Sequence, residues 1–399
     1  MVDHRSLCRH IEINERRARL AVRHRLALGR QASSVEEVAA SVVALHATDP
    51  ASVFLQARAR MSVSSPDDIE RALYDERTVL RMLAMRRTLF LVSIPDVPVI
   101  HAAATVAIGS AERRRTIKML TDDGIGPDPA ALLEELEAIG LAAVRQRGEA
   151  GTAELTALDP RLGHVITLAR GKSYEGTISM SSKVFFHLAL DGRIGRGRPR
   201  GTWIASQHRW SPIERWLPDG IAVLSVDDAR AELIGRWLCA FGPGTLDDLR
   251  WWTGWAAGVA RKAAATVAAV EVELDGGEIG YVLPGDLEPV GPEAPWVALL
   301  PALDATTMGW ASRDWYLGAH RAALFDRNGN AGPTIWVDGR VVGGWAQRRS
   351  GEVVTRALED AGSEAIRRID AEAARLQTWL GPARVRARFP TPLETDLRT

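Results

Sequence analysis

Cysteine is nearly absent. The 399 residues hold two, Cys8 and Cys239, far apart and without a CxxC or Cys/His zinc spacing. Neither a disulfide framework nor a zinc module is expected, and a reducing compartment fits. Net charge is absent too: 50 basic and 50 acidic residues cancel. That argues against a histone-like coat of positive charge while leaving local basic faces open. Tyrosine is scarce, four against 13 tryptophans. No apolar run approaches the ~18–20 residues that span a bilayer, and Met1-Val2-Asp3-His4-Arg5 does not read as a signal peptide. The chain has no P-loop, no GxGxxG on a strand–helix turn, no HExxH and no GxSxG, so those chemistries lack their motifs.

What is present is an ordinary globular balance, 46% hydrophobic and 25% charged, over a length that suggests two to four compact units. The bases are clustered. Arg5, Arg9, Arg16, Arg17, Arg19, Arg23, Arg25 and Arg30 crowd the N-terminus, where Glu12 and Glu15 are available as helix-face partners. Lys183, Arg193, Arg196, Arg198, Arg200 and Arg209 crowd a second stretch.

The clearest unit is 227–290. A helix through Ala229–Cys239 stops at Gly242-Pro243-Gly244; Thr245 with Asp248 opens a second helix, and Gly254 precedes a third over Ala256–Val267. Strands Val270–Leu274 and Glu278–Leu283 follow, joined by Asp275-Gly276-Gly277. Three helices and then a hairpin is the order of a winged helix, whose third helix usually enters the major groove. Residues 106–226 read as a second such unit: helices around Glu112–Leu120, through Leu132 and Ile139, and from Thr152, then an alternating strand Val184–Leu190, the turn Asp191-Gly192, and the arm Arg193 to Gly201 as a basic wing. Residues 1–105 read as a first winged-helix-like unit. Asn14 caps a helix ending at Gly29, Ser34 and Glu37 box a second, Asp49-Pro50 and Ser65-Pro66 open two more, and Thr88–Val92 is a strand. Residues 291–399 hold a strand at Val297–Leu300, a hairpin Thr334–Val337/Arg340–Trp345 and a helix Ser363–Leu380. The expected class is α+β: tandem winged-helix domains followed by a C-terminal mixed α/β, barrel-like segment.

Five stretches occur together in order: Leu45-His46-Ala47-Thr48-Asp49-Pro50, Met85-Arg86-Arg87-Thr88-Leu89-Phe90-Leu91-Val92, Phe241-Gly242-Pro243-Gly244-Thr245, Leu299-Leu300-Pro301-Ala302-Leu303-Asp304 and Val337-Asp338-Gly339-Arg340-Val341-Val342-Gly343. As a set they resemble the AlkZ/YcaQ family of winged-helix bacterial DNA glycosylases. The resemblance implies hydrolysis of the N-glycosidic bond of alkylated purines, N7/N3 adducts and bulkier lesions, in double-stranded DNA. The family's catalytic loop usually reads Gln-x-Gln or Gln-x-Asp before Asp-Pro; here those positions are His46-Ala47-Thr48. Phe90 stands where relatives often carry histidine.

An alkylated purine is cationic and a good leaving group, so the protein needs mainly to hold a water and stabilise an oxocarbenium-like sugar. His46 can accept a proton near pH 7 at its reference pKa of ~6.5. Thr48 can assist, and Asp49 can act as a base or electrostatic stabiliser, for the ~10²–10⁴-fold that general-base help contributes. Each residue has a structural alternative. His46 at a helix C-terminus is favoured by the dipole, and Thr48 and Asp49 can be caps before Pro50. The arm Arg193, Arg196, Arg198 and Arg200 suits phosphate contact or a solvated loop; Lys183 belongs to the same basic stretch, and Arg86 and Arg87 either meet DNA or bracket their strand. Asp304 and Arg313 fit a site or a buried ion pair. No lysine sits in the loop to form a Schiff base, so the expected enzyme is monofunctional. It would need no metal or organic cofactor and no membrane, acting as a monomer in the cytoplasm on nucleoid DNA. A damage sensor or regulator that binds DNA without catalysis is the alternative, and a protein that sequesters a genotoxin is a third.

Overall fold

A computed structural model describes residues 9–173 and 175–399; Arg5 and Cys8 lie outside the described residues. The fold is mixed α/β, helices interleaved with short sheets. One continuous apolar core gathers residues from Leu20 to Ala104, Ile213 to Ala264 and Trp296 to Leu397, while Leu120 to Trp210 supply a second. The tryptophans explain themselves there. Trp237, Trp310, Trp315 and Trp336 are buried, and Trp237 and Trp310 both pack on Phe241. Large flat rings fill the junction where the 226–266 helices meet the C-terminal segment.

The axis of the N-terminal part is the helix Pro50–Arg60. Asp49 caps it by accepting from the Ala51 amide at 3.1 Å, Pro50 fits its first turn, and nine of its eleven residues are buried, so it is covered on every side. Beside it runs a three-stranded antiparallel sheet in the order Leu45–His46, Thr88–Ser93, Val79–Ala84. Ser65 opens the next helix as expected, and a capping box with Asp68 closes its start. Ser34 accepts from the Glu37 amide, but the Glu37 carboxylate turns to Ser33, so the second box is half made. The first helix starts after Glu12 and runs Ile13–Arg23, shorter than expected and without a side-chain cap from Asn14. A continuous helical run, Ile94–Asp122, is long and apolar enough by length and composition to cross a bilayer, and half of its most apolar window is buried; it packs on the helix Val226–Phe241.

Residues 106–226 depart most from expectation. Helices Val106–Asp122, Pro129–Arg147 and Thr152–Thr156 are present. A hairpin Val165–Leu168/Gly176–Ser179 intervenes, and Val184–Leu190, expected as a strand, lies inside the helix Met180–Leu190. The run Val184-Phe185-Phe186-His187-Leu188-Ala189-Leu190 is apolar almost throughout, so its period does not separate helix from strand, and the Ser179 hydroxyl accepting from the Ser182 amide decides for the helix. The arm after Gly192 is a short strand, Ile194–Arg196, paired with Trp210–Pro212.

From 226 to 282 the order is helix Val226–Phe241, strand Gly244–Thr245, helices Leu246–Thr253 and Ala257–Thr266, and hairpin Val270–Leu274/Ile279–Val282, with the Thr245–Asp248 capping box in place. The hairpin is stitched in on both edges, in parallel to His10–Ile11 and antiparallel to Gly244–Thr245. The C-terminal segment is not barrel-like. Its four strands, Val297–Leu300, Thr334–Val337, Arg340–Gln347 and Val353–Ala357, form an open antiparallel sheet. Closure requires the outer strands to pair; here the helix Ser363–Leu380 packs on both of them instead.

Candidate active site

His46 ends a two-residue strand that pairs with Phe90, not a helix, so the dipole reading of its position does not apply. Its ring lies 5.4 Å from Phe90 and is only 7% exposed, and its Nδ1 is buried without a hydrogen-bond partner. Burial, reinforced by the Arg86 guanidinium, pushes its pKa down to about 3. At neutral pH the imidazole is therefore uncharged but far less basic than expected.

The Pro50–Arg60 helix holds this loop through a polar stripe at every fourth residue. Gln56 donates from Nε2 to the His46 carbonyl at 2.9 Å and accepts from the Ala305 amide at 3.0 Å. Ser52 donates to the Ala302 carbonyl at 2.7 Å. Arg60 grips Asp304 with two bonds of 2.8 and 2.7 Å and also reaches Thr306, all fully buried. Asp304 is thus the buried ion pair, with Arg60 as its partner and not Arg313. On the opposite strand Arg81 donates to the Ala47 carbonyl at 3.0 Å, and Arg388 approaches the Thr48 carbonyl at 3.4 Å. Thr48 itself is half-buried. Asp49 accepts the Ala51 and Arg388 amides, one on each oxygen, and burial raises its pKa. Its geometry is that of a cap.

The tip of the Val79–Ala84/Thr88–Ser93 hairpin places Arg86 and Arg87 in left-handed backbone, with φ of 55° and 62°. That region is uncommon for non-glycine residues, and strain of this kind gathers at functional sites. Arg86 stacks on Trp251 at 4.1 Å, and Arg313 covers the same ring at 4.7 Å. Gly254, with φ of 77°, lets the Leu246–Thr253 helix end beneath Arg86; a Cβ there would sit 3.1 Å from its Cγ. Burial, and then Arg313, lower the Arg86 pKa to about 10.

A family profile for AlkZ-like DNA glycosylases matches residues 39–379. The chain belongs to the AlkZ-like DNA glycosylase family. The solved structure of Streptomyces sahachiroi DNA glycosylase AlkZ has a similar fold, with a TM-score of 0.71, 19% identity, and coverage of 94% of this chain and 98% of that one. No curated protein matches this sequence. Membership places the chain among DNA-repair glycosylases.

The remaining expected DNA contacts are dispersed. Arg87 is exposed and pairs with Glu112 at 3.2 Å. Lys183 lies on a helix rather than a wing, buried, 5.8 Å from the Phe186 ring. Arg193 is exposed. Arg198 holds Glu70 at 2.6 Å and Asp75 at 2.9 Å, and Arg200 holds Glu154. Arg196 is half-buried and stacks on Trp210 at 5.6 Å. Sequence reading passed over Gln56, Arg60, Arg81 and Arg388. The first two carried a signal, polar residues four apart from Ser52 onward on one face of the Pro50–Arg60 helix. Arg81 carried another, a lone cation in the run Val79-Leu80-Arg81-Met82-Leu83. Among the described residues no group of three or more His, Cys, Asp and Glu could hold a metal ion.

Proposed function

We propose that this protein is a monofunctional DNA glycosylase that releases N7- or N3-alkylated purines, bulky adducts included, from double-stranded DNA. The observation that carries the reading is His46. By the resemblance this is the position where the family carries glutamine; here it holds a neutral, buried imidazole whose Nδ1 has no partner, in a loop held by buried side chains and bordered by arginines. A neutral imidazole of such low basicity resembles an amide in what it offers: a hydrogen-bond acceptor for water. The chemistry asks for little more. The cationic purine leaves as a neutral base, taking the C1′–N electron pair. Water oxygen then bonds to C1′ of the oxocarbenium sugar, and its proton, by then strongly acidic, passes to the imidazole. Even a weak base suffices for that transfer, and Thr48 assists as a hydroxyl beside it.

Asp49 is a positioning residue in this scheme, because both of its oxygens are engaged by backbone amides. Arg86, Arg193 and Arg196 are the proposed DNA contacts from the basic stretches, whereas Arg87, Arg198 and Arg200 would have to exchange a carboxylate for a phosphate. The Leu246–Thr253, Ala257–Thr266 and Val270–Val282 segment is read as a winged helix that docks on the duplex. A monomer acting on nucleoid DNA in a reducing cytoplasm fits the two distant cysteines.

The test is single-turnover base release from duplexes carrying N7-methylguanine, N3-methyladenine or a bulky N7 adduct. Release by the wild type that falls at least ~100-fold in His46→Ala, with affinity nearly unchanged, supports the reading. No release from any of the three substrates refutes it. That result would favour a DNA-binding protein without catalysis, a reading that the low basicity of His46 also suits.

A further inference from the structure

Beside the 46–48 loop, three arginines from three separate segments come together. Arg81 comes from the strand Val79–Ala84, Arg196 from the strand Ile194–Arg196 and Arg388 from the extended chain before the last helix, Pro392–Leu397. Burial and then the charges of Arg81 and Arg388 pull the Arg196 pKa down to about 9, which marks the three as electrostatic neighbours. Like charges brought together in a half-buried place are unfavourable unless something negative balances them. Among the described residues none of the three has a carboxylate in ion-pair contact. The contrast with Arg198, two residues along, is direct: it has two. Asp49 is the acid beside Arg81 and Arg388, and its oxygens are already taken by the Ala51 and Arg388 amides.

The same place has surplus donors. Arg81 gives one guanidinium N–H to Ala47 and faces the Tyr74 hydroxyl, yet its Nε is buried and unpartnered. Arg196 approaches His208 Nδ1 at 3.4 Å. A guanidinium only donates, so Nδ1 is the acceptor and the imidazole proton sits on Nε2. That Nε2–H is buried and also has no partner. Burial, then Arg196 and Arg81, hold His208 neutral, its pKa near 3. Guanidinium and imidazole N–H groups without acceptors, around a net positive charge, match the needs of a tetrahedral oxyanion. Arg81 and Arg388 also touch the carbonyls of Ala47 and Thr48, one and two residues from His46.

We propose that Arg388, exposed, with Arg196 and Arg81 behind it, forms an anion site that takes one phosphodiester of the DNA strand whose nucleotide faces His46. The proposal rests on the reading that the protein binds DNA, but not on its excising a base. Its role is register: one phosphate fixed beside the loop sets which sugar stands opposite the imidazole.

The experiment is a phosphate walk on a duplex containing a tetrahydrofuran abasic analogue, which has no base to release. Single methylphosphonate linkages, uncharged, are placed in turn on either side of the analogue. Affinity is measured by fluorescence anisotropy for the wild type, Arg388→Gln and Arg196→Gln. Arg388 is exposed, so its variant is expected to fold, and near-ultraviolet circular dichroism checks both. Arg81 is left intact because it holds the Ala47 carbonyl. In the wild type, neutralising one particular linkage should weaken binding roughly tenfold. In either variant that linkage should no longer matter, while the other sensitive linkages still do. Losses of equal size in variants and wild type at every linkage overturn the anion site. The glycosylase reading is judged separately: coupling without excision on methylated substrates keeps the anion site and removes the enzyme, and excision without coupling does the reverse. Failure to bind DNA at all removes both.

Discussion

If His46 works as a neutral imidazole with a pKa near 3, the pH profile of base release should lack the limb that an ordinary histidine base produces. A base of pKa 6.5 is only about one-tenth neutral at pH 5.5, so its rate would fall about tenfold from pH 7.5. A base of pKa near 3 remains neutral throughout that range, and the rate should stay level within about twofold. The assay is single-turnover release of N7-methylguanine, a leaving group already cationic, at saturating protein from pH 7.5 to 5.5. The fold sets the lower limit. His24, His46 and His187 are buried, and burial first of all depresses each pKa below 6.5: to about 4 for His187, to about 3 for His46, and well down for His24. Below pH 6.5 the unfolded chain takes up these protons and the folded one does not. The stability they contribute is complete above 6.5 and is lost as pH falls toward the folded values, by about 1.4 kcal/mol per group per pH unit. Three groups make about 4 kcal/mol by pH 5.5, a large part of a typical folding free energy of ~5–15 kcal/mol. Circular dichroism at each pH must accompany the rates. A tenfold fall centred near pH 6.5 in folded protein, absent from His46→Gln, would refute the argument.

His46→Gln should keep release within about tenfold of wild type, because an amide offers the same acceptor, whereas His46→Ala should lose ~10²-fold or more in the same assay. Asp304→Asn leaves Arg60 buried with half a partner and should destabilise by ~3–5 kcal/mol in urea unfolding, against much less for the exposed pair Arg367–Glu364. Gln56→Leu removes the bond that fixes the His46 carbonyl; it should lower the release rate more than it weakens DNA binding, measured by single-turnover kinetics and anisotropy. Asp49→Ala should cost ~0.5–2 kcal/mol as a lost cap, and Asp49→Asn, which retains an acceptor for the Ala51 amide, less, both read by thermal unfolding.

Much of the local structure was legible because local rules decide it. Asp49-Pro50, Ser65-Pro66 and Thr245 with Asp248 open helices where caps should. Asp275-Gly276-Gly277 turns the hairpin, and Gly381 ends the long C-terminal helix. Reading failed where local signals were silent. Val184–Leu190 is apolar almost throughout, so its period is silent, and the two-residue strand at Leu45–His46 exists only because Phe90 and Leu91 lie beside it.

The ordered motifs alone pointed to the family, and through that resemblance to His46 and Thr48 as candidate catalytic residues. Tertiary structure decided what those positions can do, since acidity, charge neutralisation and hydrogen-bond satisfaction are set by neighbours distant in sequence. Burial against Phe90, with Arg86 nearby, leaves a histidine that reads as a base as a weakly basic, neutral imidazole. Glu70, Asp75 and Glu154 occupied Arg198 and Arg200 while leaving Arg196 free of carboxylates. Arg81 and Arg388 reached the loop from 34 and 340 residues away, a convergence that no spacing along the chain encodes.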